Sequence, residues 1–357
     1  VIGVLGGSGT VGAVTADRLV RHGLGPVRIG GRDLGRAAAV ADSLDTRAEA
    51  VRVDLADPDS LAAFCAGTSV VVNCAGPSYR VLDTVARAAV AAGADYVDAA
   101  GDAVAMAALT EHAPDALARR SAVFSAGLMP GLSGLLPRLL AEEGPPARLD
   151  AYVGGATAIG ALSAVDALLT RGPGFGTAQA LWRDGRVVEH GLAPLRGVVL
   201  PGFRGRVHAV PFLSAEARAL AESLGVDELR NYTVYVSERI PEALARAWAD
   251  IDAGGDLDAH VPEVVAAADG DVAAGGSWYT LLFHARARER GASGPTRLLL
   301  RTPESYALSG VVAALTVGAL VAGKVPAGAH AAADVLDPRA VLDALRADPL
   351  VDEIDLA

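Results

Sequence analysis

Val1-Ile2-Gly3-Val4-Leu5-Gly6-Gly7-Ser8-Gly9-Thr10-Val11-Gly12 opens the chain, and its reading decides the fold. An apolar run of strand length meets a glycine-rich turn, and a helical pattern over residues 10–22 follows. Gly7-x-Gly9-x-x-Gly12 has the dinucleotide spacing: one glycine for a tight turn, one for close approach of backbone N–H groups to a pyrophosphate, one for helix–strand packing. The helix start adds partial positive charge for the phosphates. Gly7, Ser8, Gly9, Thr10, Val11 and Gly12 are therefore the first expected cofactor contacts.

Working outward, short apolar runs alternate with helical stretches as far as residue 125. Strands are expected over 1–5, 27–30, 50–54, 69–74, 96–98 and 122–125, with helices over 10–22, 33–43, 57–64, 80–92 and 103–119. That alternation means an α/β fold with a doubly wound parallel Rossmann sheet. Asp57-Pro58 is a capped helix start.

The texture then changes. Pro130-Gly131 opens another helix, and Ala151, Tyr152 and Val153 read as one more strand. Asp184-Gly185 sits between strand-like pieces as a hairpin turn. Tyr232, Val234 and Val236 alternate with more polar neighbours. Residues 278–288 read as a two-faced strand, and Gly291–Gly294 turns it into another over 297–301. Residues 252–276 are the loosest segment. This half reads as a second α+β domain with a mostly antiparallel sheet. The expected domains are 1–150 (dinucleotide binding), 151–302 (substrate and dimerisation) and 303–357 (C-terminal helices).

Bulk composition limits the function. A net charge of −11 argues against a nucleic-acid surface. Residues 306–323 approach membrane-span length, but Ala, Gly, Ser and Thr dominate them, so a buried helix is expected and no membrane partner. Cys65 and Cys74 form neither a disulfide-like nor a metal-like pattern, and no His/Cys/Asp cluster has ligand spacing. A reducing cytoplasm fits. The chain starts without Met or a signal-peptide pattern, which leaves the expectation that a few residues precede Val1.

The second strand ends Ile29-Gly30-Gly31-Arg32-Asp33, without the acidic residue that an NAD enzyme uses on the ribose 2′-hydroxyl. Gly31 leaves room for a 2′-phosphate and Arg32 can pair with it, so NADP, with NADPH preferred over NADH, is the expected cofactor. Asp33 fits a helix cap better. Asp54 reads as an adenine contact or as a turn residue. Asn73, Ala75, Gly76 and Pro77 end the fourth strand, where small residues let the backbone pass close to the cofactor. Cys74, beside them, reads as a core thiol.

The ordered series Gly6–Gly12, Asn73-Cys74-Ala75-Gly76-Pro77-Ser78-Tyr79, Tyr96-Val97-Asp98-Ala99-Ala100-Gly101-Asp102 and Ala126-Gly127-Leu128-Met129-Pro130-Gly131-Leu132-Ser133 resembles the saccharopine dehydrogenase-like family. Arg183-Asp184-Gly185-Arg186-Val187-Val188-Glu189 is similar to a strand pair in that family's second domain. The resemblance implies a Rossmann domain, an α+β substrate domain, C-terminal helices returning to the first domain, and a nicotinamide facing a cleft. It implies a hydride-transfer enzyme and leaves the substrate open among imines, amino acids, polyamines and enoyl chains. Small residues in the second half argue against saccharopine itself.

Chemistry candidates are few. The single lysine, Lys324, lacks the Tyr-x-x-x-Lys partner, since Leu320 stands four residues before it, and it follows a core helix. Tyr79 is a proton donor or a packing aromatic. Asp98 is a candidate for catalysis or for holding a cationic imine; Asp102 reads rather as the cap of the helix that begins at Ala103. His208 and His284 lie in strands and read as structural. The expected activity is NADPH-dependent hydride transfer to a C=N or related unsaturated bond of a small molecule, in a homodimer. The alternatives are a trans-acting enoyl reductase on a carrier-bound chain, disfavoured by the acidic composition, and a non-enzymatic NADP sensor.

Overall fold

The computed structural model describes residues 1–44, 48–172, 174–288 and 294–357. The chain divides into two compact units. One comprises Val1–Leu135 and Tyr306–Val341; the other comprises Leu136–Ser305 and Leu342–Ala357.

The first unit is built on a seven-stranded sheet. Across it run Gly328–Ala331, Ser121–Phe124, Asp95–Asp98, Val70–Asn73, Ile2–Leu5, Val27–Gly31 and Ala48–Arg52. All neighbours are parallel. The central strands Ile2–Leu5 and Val70–Asn73 are buried at every position and almost wholly apolar, because both their faces are covered. Ile2–Leu5 lies between the second and fourth strands, so chain direction across the sheet reverses there. A crevice forms beyond the carboxyl ends at such a switch point.

Two expected helices are broken. The 80–92 helix appears as Ser78–Val81 and Thr84–Ala91, separated at Leu82, whose φ is +48°. A branched side chain there is strained. Next to it the buried Asp83 carboxylate engages His112 at 2.7 Å and Arg87 at 3.0 Å. The 103–119 helix stops at His112 and resumes as Pro114–Leu117, because proline has no N–H to donate and disfavours helical geometry in the residue before it. The third strand lies two residues earlier than expected, leaving Asp54 beyond its end.

Ser305–Val321 is the apolar helix read from the sequence, and its buried positions include Leu308, Val311, Val312 and Val317. Its small residues have a specific reason. A Cβ on Gly310 would stand 2.5 Å from the Val11 carbonyl oxygen, and the Thr15 hydroxyl donates to the Gly310 carbonyl at 3.2 Å. The helix thus crosses Thr10–Arg21 backbone to backbone. Among the described residues, no helix is long and apolar enough to cross a membrane.

The second unit holds a ten-stranded mixed sheet. Its axis is Arg148–Ala156, parallel to Glu228–Tyr235 and antiparallel to Trp278–Arg286. Arg297–Thr302 and Glu353–Leu356 extend one side by antiparallel pairing. On the other, Leu181–Arg183 and Arg186–Val188 form the expected hairpin, with φ of +49° at Asp184 and +78° at Gly185, as a tight primed turn requires. The turn expected at Gly291–Gly294 falls largely on residues 291–293, outside the described residues.

Three differences from the sequence expectation follow from this sheet. Residues 136–150 group with the second unit rather than the first, since the strand from Arg148 is the centre of the second sheet. Residues 303–357 do not return as one block of helices: Gly328–Ala331 adds a strand to the first sheet, and Glu353–Leu356 adds one to the second. Residues 252–276, expected to be loose, contain the helix Val261–Gly275, which packs Val264 and Ala268 against Ala161–Leu169 and Arg239–Asp252.

Candidate active site

The glycine turn has a shape that side chains would destroy. Gly6, not Gly7, takes the left-handed position (φ +73°), and a Cβ on it would lie 2.7 Å from the Ala75 nitrogen. The 73–77 loop is therefore pressed against the turn. A Cβ on Gly12 would sit 2.4 Å from the Gly6 carbonyl oxygen, so the helix can start this close to the strand only with glycine there. Gly7 is buried beneath Ile29. Gly9 and Thr10 are exposed, with Ser8 and Val11 half-buried beside them. First-turn amides of a helix have no acceptor within it, and here they begin at an exposed glycine with no side-chain cap. This backbone cradle fits a dinucleotide pyrophosphate.

At the end of the second strand, Asp33 caps Leu34–Ser43 by accepting from the Arg36 N–H at 3.1 Å. Arg32 is exposed and has no partner among the described residues. Two arginines unremarked in the sequence join it. Arg36 donates from Nη2 to the Ser8 carbonyl at 3.3 Å, and Arg52 is the register partner of Gly31. A Cβ on Gly31 would meet Ser8 Oγ at 3.6 Å, an ordinary contact. Gly31 is thus not forced by crowding; it keeps a space open beside guanidinium groups, as a 2′-phosphate needs. Arg52 comes beside Gly31 through strand register, which no local motif reveals. Asp54 instead closes a turn, its Oδ1 accepting from the Ala56 N–H at 3.0 Å.

The 73–102 region separates residues that shape the site from residues free to act in it. Asn73 is buried; its Nδ2 donates to Asp98 Oδ2 at 3.2 Å, and its Oδ1 accepts from the Ala75 N–H at 3.1 Å. Its side chain therefore holds the loop of Ala75, Gly76 and Pro77 rather than facing a cofactor. Asp98 is also buried. Its Oδ1 accepts from the N–H groups of Ala100 at 3.0 Å and Gly101 at 2.6 Å, and its Oδ2 takes Asn73 and the Tyr96 hydroxyl. A carboxylate with four protein donors holds a turn, so the catalytic role expected for Asp98 is not what the geometry provides.

Asp102 is different. Its Oδ1 caps the helix through the Val104 N–H at 3.0 Å, while its Oδ2 accepts from the Tyr79 hydroxyl at 2.8 Å. Burial pushes its pKa up, against the lowering effect of Tyr79 and the Val104 amide. The cap was legible in the sequence; the pairing with Tyr79 was not, because it spans two βα loops. Cys74 lies 3.7 Å from the Thr15 hydroxyl, and burial pushes its thiol up to about 12, so it is no nucleophile. His208 and His284 are on second-unit strands; burial lowers the His284 pKa. Among the described residues, no group of three or more His, Cys, Asp or Glu could hold a metal ion.

Comparison with known proteins agrees with this geometry. Residues 2–128 match the family described as the saccharopine dehydrogenase NADP binding domain. Over 102 residues the chain is 38% identical to a Mycobacterium tuberculosis protein provisionally named a trans-acting enoyl reductase, covering 27% of this chain and 24% of that protein. The match thus spans about a quarter of the relative's length. The chain also aligns with the structure of saccharopine dehydrogenase (L-Glu forming) from Saccharomyces cerevisiae. That alignment covers 100% of this chain and 99% of the other, with a TM-score of 0.64 and 14% identity, a likeness of fold. Residues 2–128 are thus similar to a saccharopine dehydrogenase NADP binding domain, and the whole chain shares its fold with saccharopine dehydrogenase.

Proposed function

We propose that this chain is an NADPH-dependent reductase that saturates a neutral C=N or C=C bond of a small molecule. NADPH, when bound, supplies the hydride. The remaining tasks belong to the protein: to hold the dinucleotide, to favour the 2′-phosphate, and to deliver one proton. The turn around Gly6, Gly9 and Gly12 does the first. Arg32, supported by Arg36 and Arg52, does the second.

The observation that carries the reading is the Tyr79–Asp102 hydrogen bond at 2.8 Å, between two helix starts that follow the neighbouring strands Val70–Asn73 and Asp95–Asp98. With Asp102 ionised, the Tyr79 proton points at the carboxylate. With Asp102 protonated, a form its burial makes easier to reach, the carboxyl donates to Tyr79 Oη and frees the phenolic proton for substrate. A substrate that gains a hydride on one atom and this proton on the other is neutral before reduction. A preformed iminium needs no such donor, so the pair favours a neutral imine or a conjugated alkene. The Mycobacterium tuberculosis relative's name favours the alkene as the second reading.

The test is a titration with NADPH and NADH, repeated with Arg32→Ala, followed by turnover of neutral imines and enoyl thioesters by wild type and Tyr79→Phe. Tight NADPH binding that Arg32→Ala weakens, with turnover that Tyr79→Phe slows, supports the proposal. Binding without turnover of either class would leave the non-enzymatic sensor, and no binding would overturn the cofactor assignment.

A further inference from the structure

The second unit carries a basic pocket that the overall charge of −11 conceals. It measures about 590 Å³ and its wall presents five arginines, Arg148, Arg183, Arg230, Arg286 and Arg288, against three carboxylates. The pocket is a product of register. Arg183, Glu228, Arg148 and Arg286 are successive cross-strand partners over four neighbouring strands, so their side chains share one face of the sheet. Arg148 and Arg286 are direct partners, and like charges placed opposite each other destabilise a sheet unless something neutralises them.

The protein's own carboxylates pair with four of the five arginines, two of them sharing Glu228. Arg148 bonds Asp150 at 2.8 Å, and Arg288 bonds Asp227 at 2.6 Å. Arg183 and Arg230 both donate from Nε to Glu228, at 2.7 and 2.5 Å. Their Nη groups make no hydrogen bond among the described residues. The Arg286 side chain is exposed and has no hydrogen-bond or ion-pair partner among them.

We propose that this pocket binds the phosphate group of a small organic phosphate. Guanidinium forks arrive from a hairpin, from the starts of two strands and from the end of a third. A planar carboxylate pairs in-plane with one fork, whereas a tetrahedral phosphoryl group accepts from several directions at once. The phosphate dianion also supplies the counter-charge that the Arg286 side chain lacks, beside an Arg148 already paired with Asp150. The volume is in the range of small-molecule sites and leaves room for the organic portion. This site is on the other unit from the cofactor turn and does not rest on the proposed reduction.

The test is calorimetric titration of the full chain with inorganic phosphate, with acetate and sodium chloride at matched ionic strength as controls. Saturable phosphate binding is expected. Arg286→Ala should weaken it at least tenfold and Arg286→Lys by less, with both variants melting as wild type does; Arg32→Ala should leave it unchanged. Binding that survives Arg286→Ala but is lost in Arg32→Ala would assign the anion to the cofactor turn and overturn the proposal. Equal binding of acetate, or no saturable phosphate binding, would overturn it as well.

Discussion

The molecule has two regions shaped for anions, and they are built in opposite ways. The turn at residues 6–12 uses backbone: glycines whose replacement would collide with carbonyl oxygens, and the amide end of one helix. The pocket at Arg148, Arg183, Arg230 and Arg286 uses side-chain charge gathered by strand pairing from residues more than a hundred positions apart. A backbone cradle tolerates almost no change in volume. A guanidinium cluster keeps its fold when one member is lost, at the cost of affinity, and its attraction for anions responds to salt. The contrast extends to carboxylates: Asp98 is saturated by the chain, while Asp102 Oδ2 accepts from the Tyr79 hydroxyl.

The largest effect expected is at the cradle. Gly12→Val places carbon within 2.4 Å of the Gly6 oxygen, and should destabilise the fold by roughly 3 kcal/mol and abolish NADPH binding. Thermal melting and a cofactor titration check this; unaltered NADPH affinity would break the contrast between rigid cradle and tolerant cluster. Asp98→Ala removes the acceptor of four donors, three of them buried, and should lower stability by about 3 kcal/mol.

Tyr79→Phe should lower kcat by about 100-fold with NADPH affinity unchanged. For the wild type, kcat should fall as pH rises through the raised Asp102 pKa, because the protonated carboxyl is the form that feeds Tyr79. In Asp102→Asn that limb of the profile should vanish, while the helix cap remains. A wild-type rate that is flat across this range would remove Asp102 from the proton path.

Arg52→Ala should weaken NADPH by roughly 1 kcal/mol without changing NADH affinity, a smaller loss than for Arg32→Ala. The smallest effect is at Glu228. Burial pushes this carboxyl up, but hydrogen bonds from Arg183 and Arg230 more than reverse the push, so it titrates below the usual range. Its contribution to stability is therefore present above its unfolded pKa and lost as pH falls through the lowered folded value. Glu228→Gln should lower the melting temperature near neutrality and narrow the gap between neutral and acid melting temperatures. An unchanged gap would mean that the arginines there do not depend on Glu228.

The sequence by itself determined what is local. Strand, glycine turn and helix follow one another within residues 2–21, so the parallel sheet and the glycine turn could be read directly, as could the caps at Asp33, Asp57 and Asp102 and the hairpin at Asp184-Gly185. Each rests on backbone geometry that a few neighbouring residues dictate. Tertiary structure alone decided which polar groups were already occupied and which came together. Asp98 and Asp102 look alike four residues apart, yet only the fold buries one among four donors and sets the other against Tyr79. Arg52 beside Gly31 and the facing pair Arg148–Arg286 depend on strand register, and register is set by the packing of whole sheets rather than by the residues at the site.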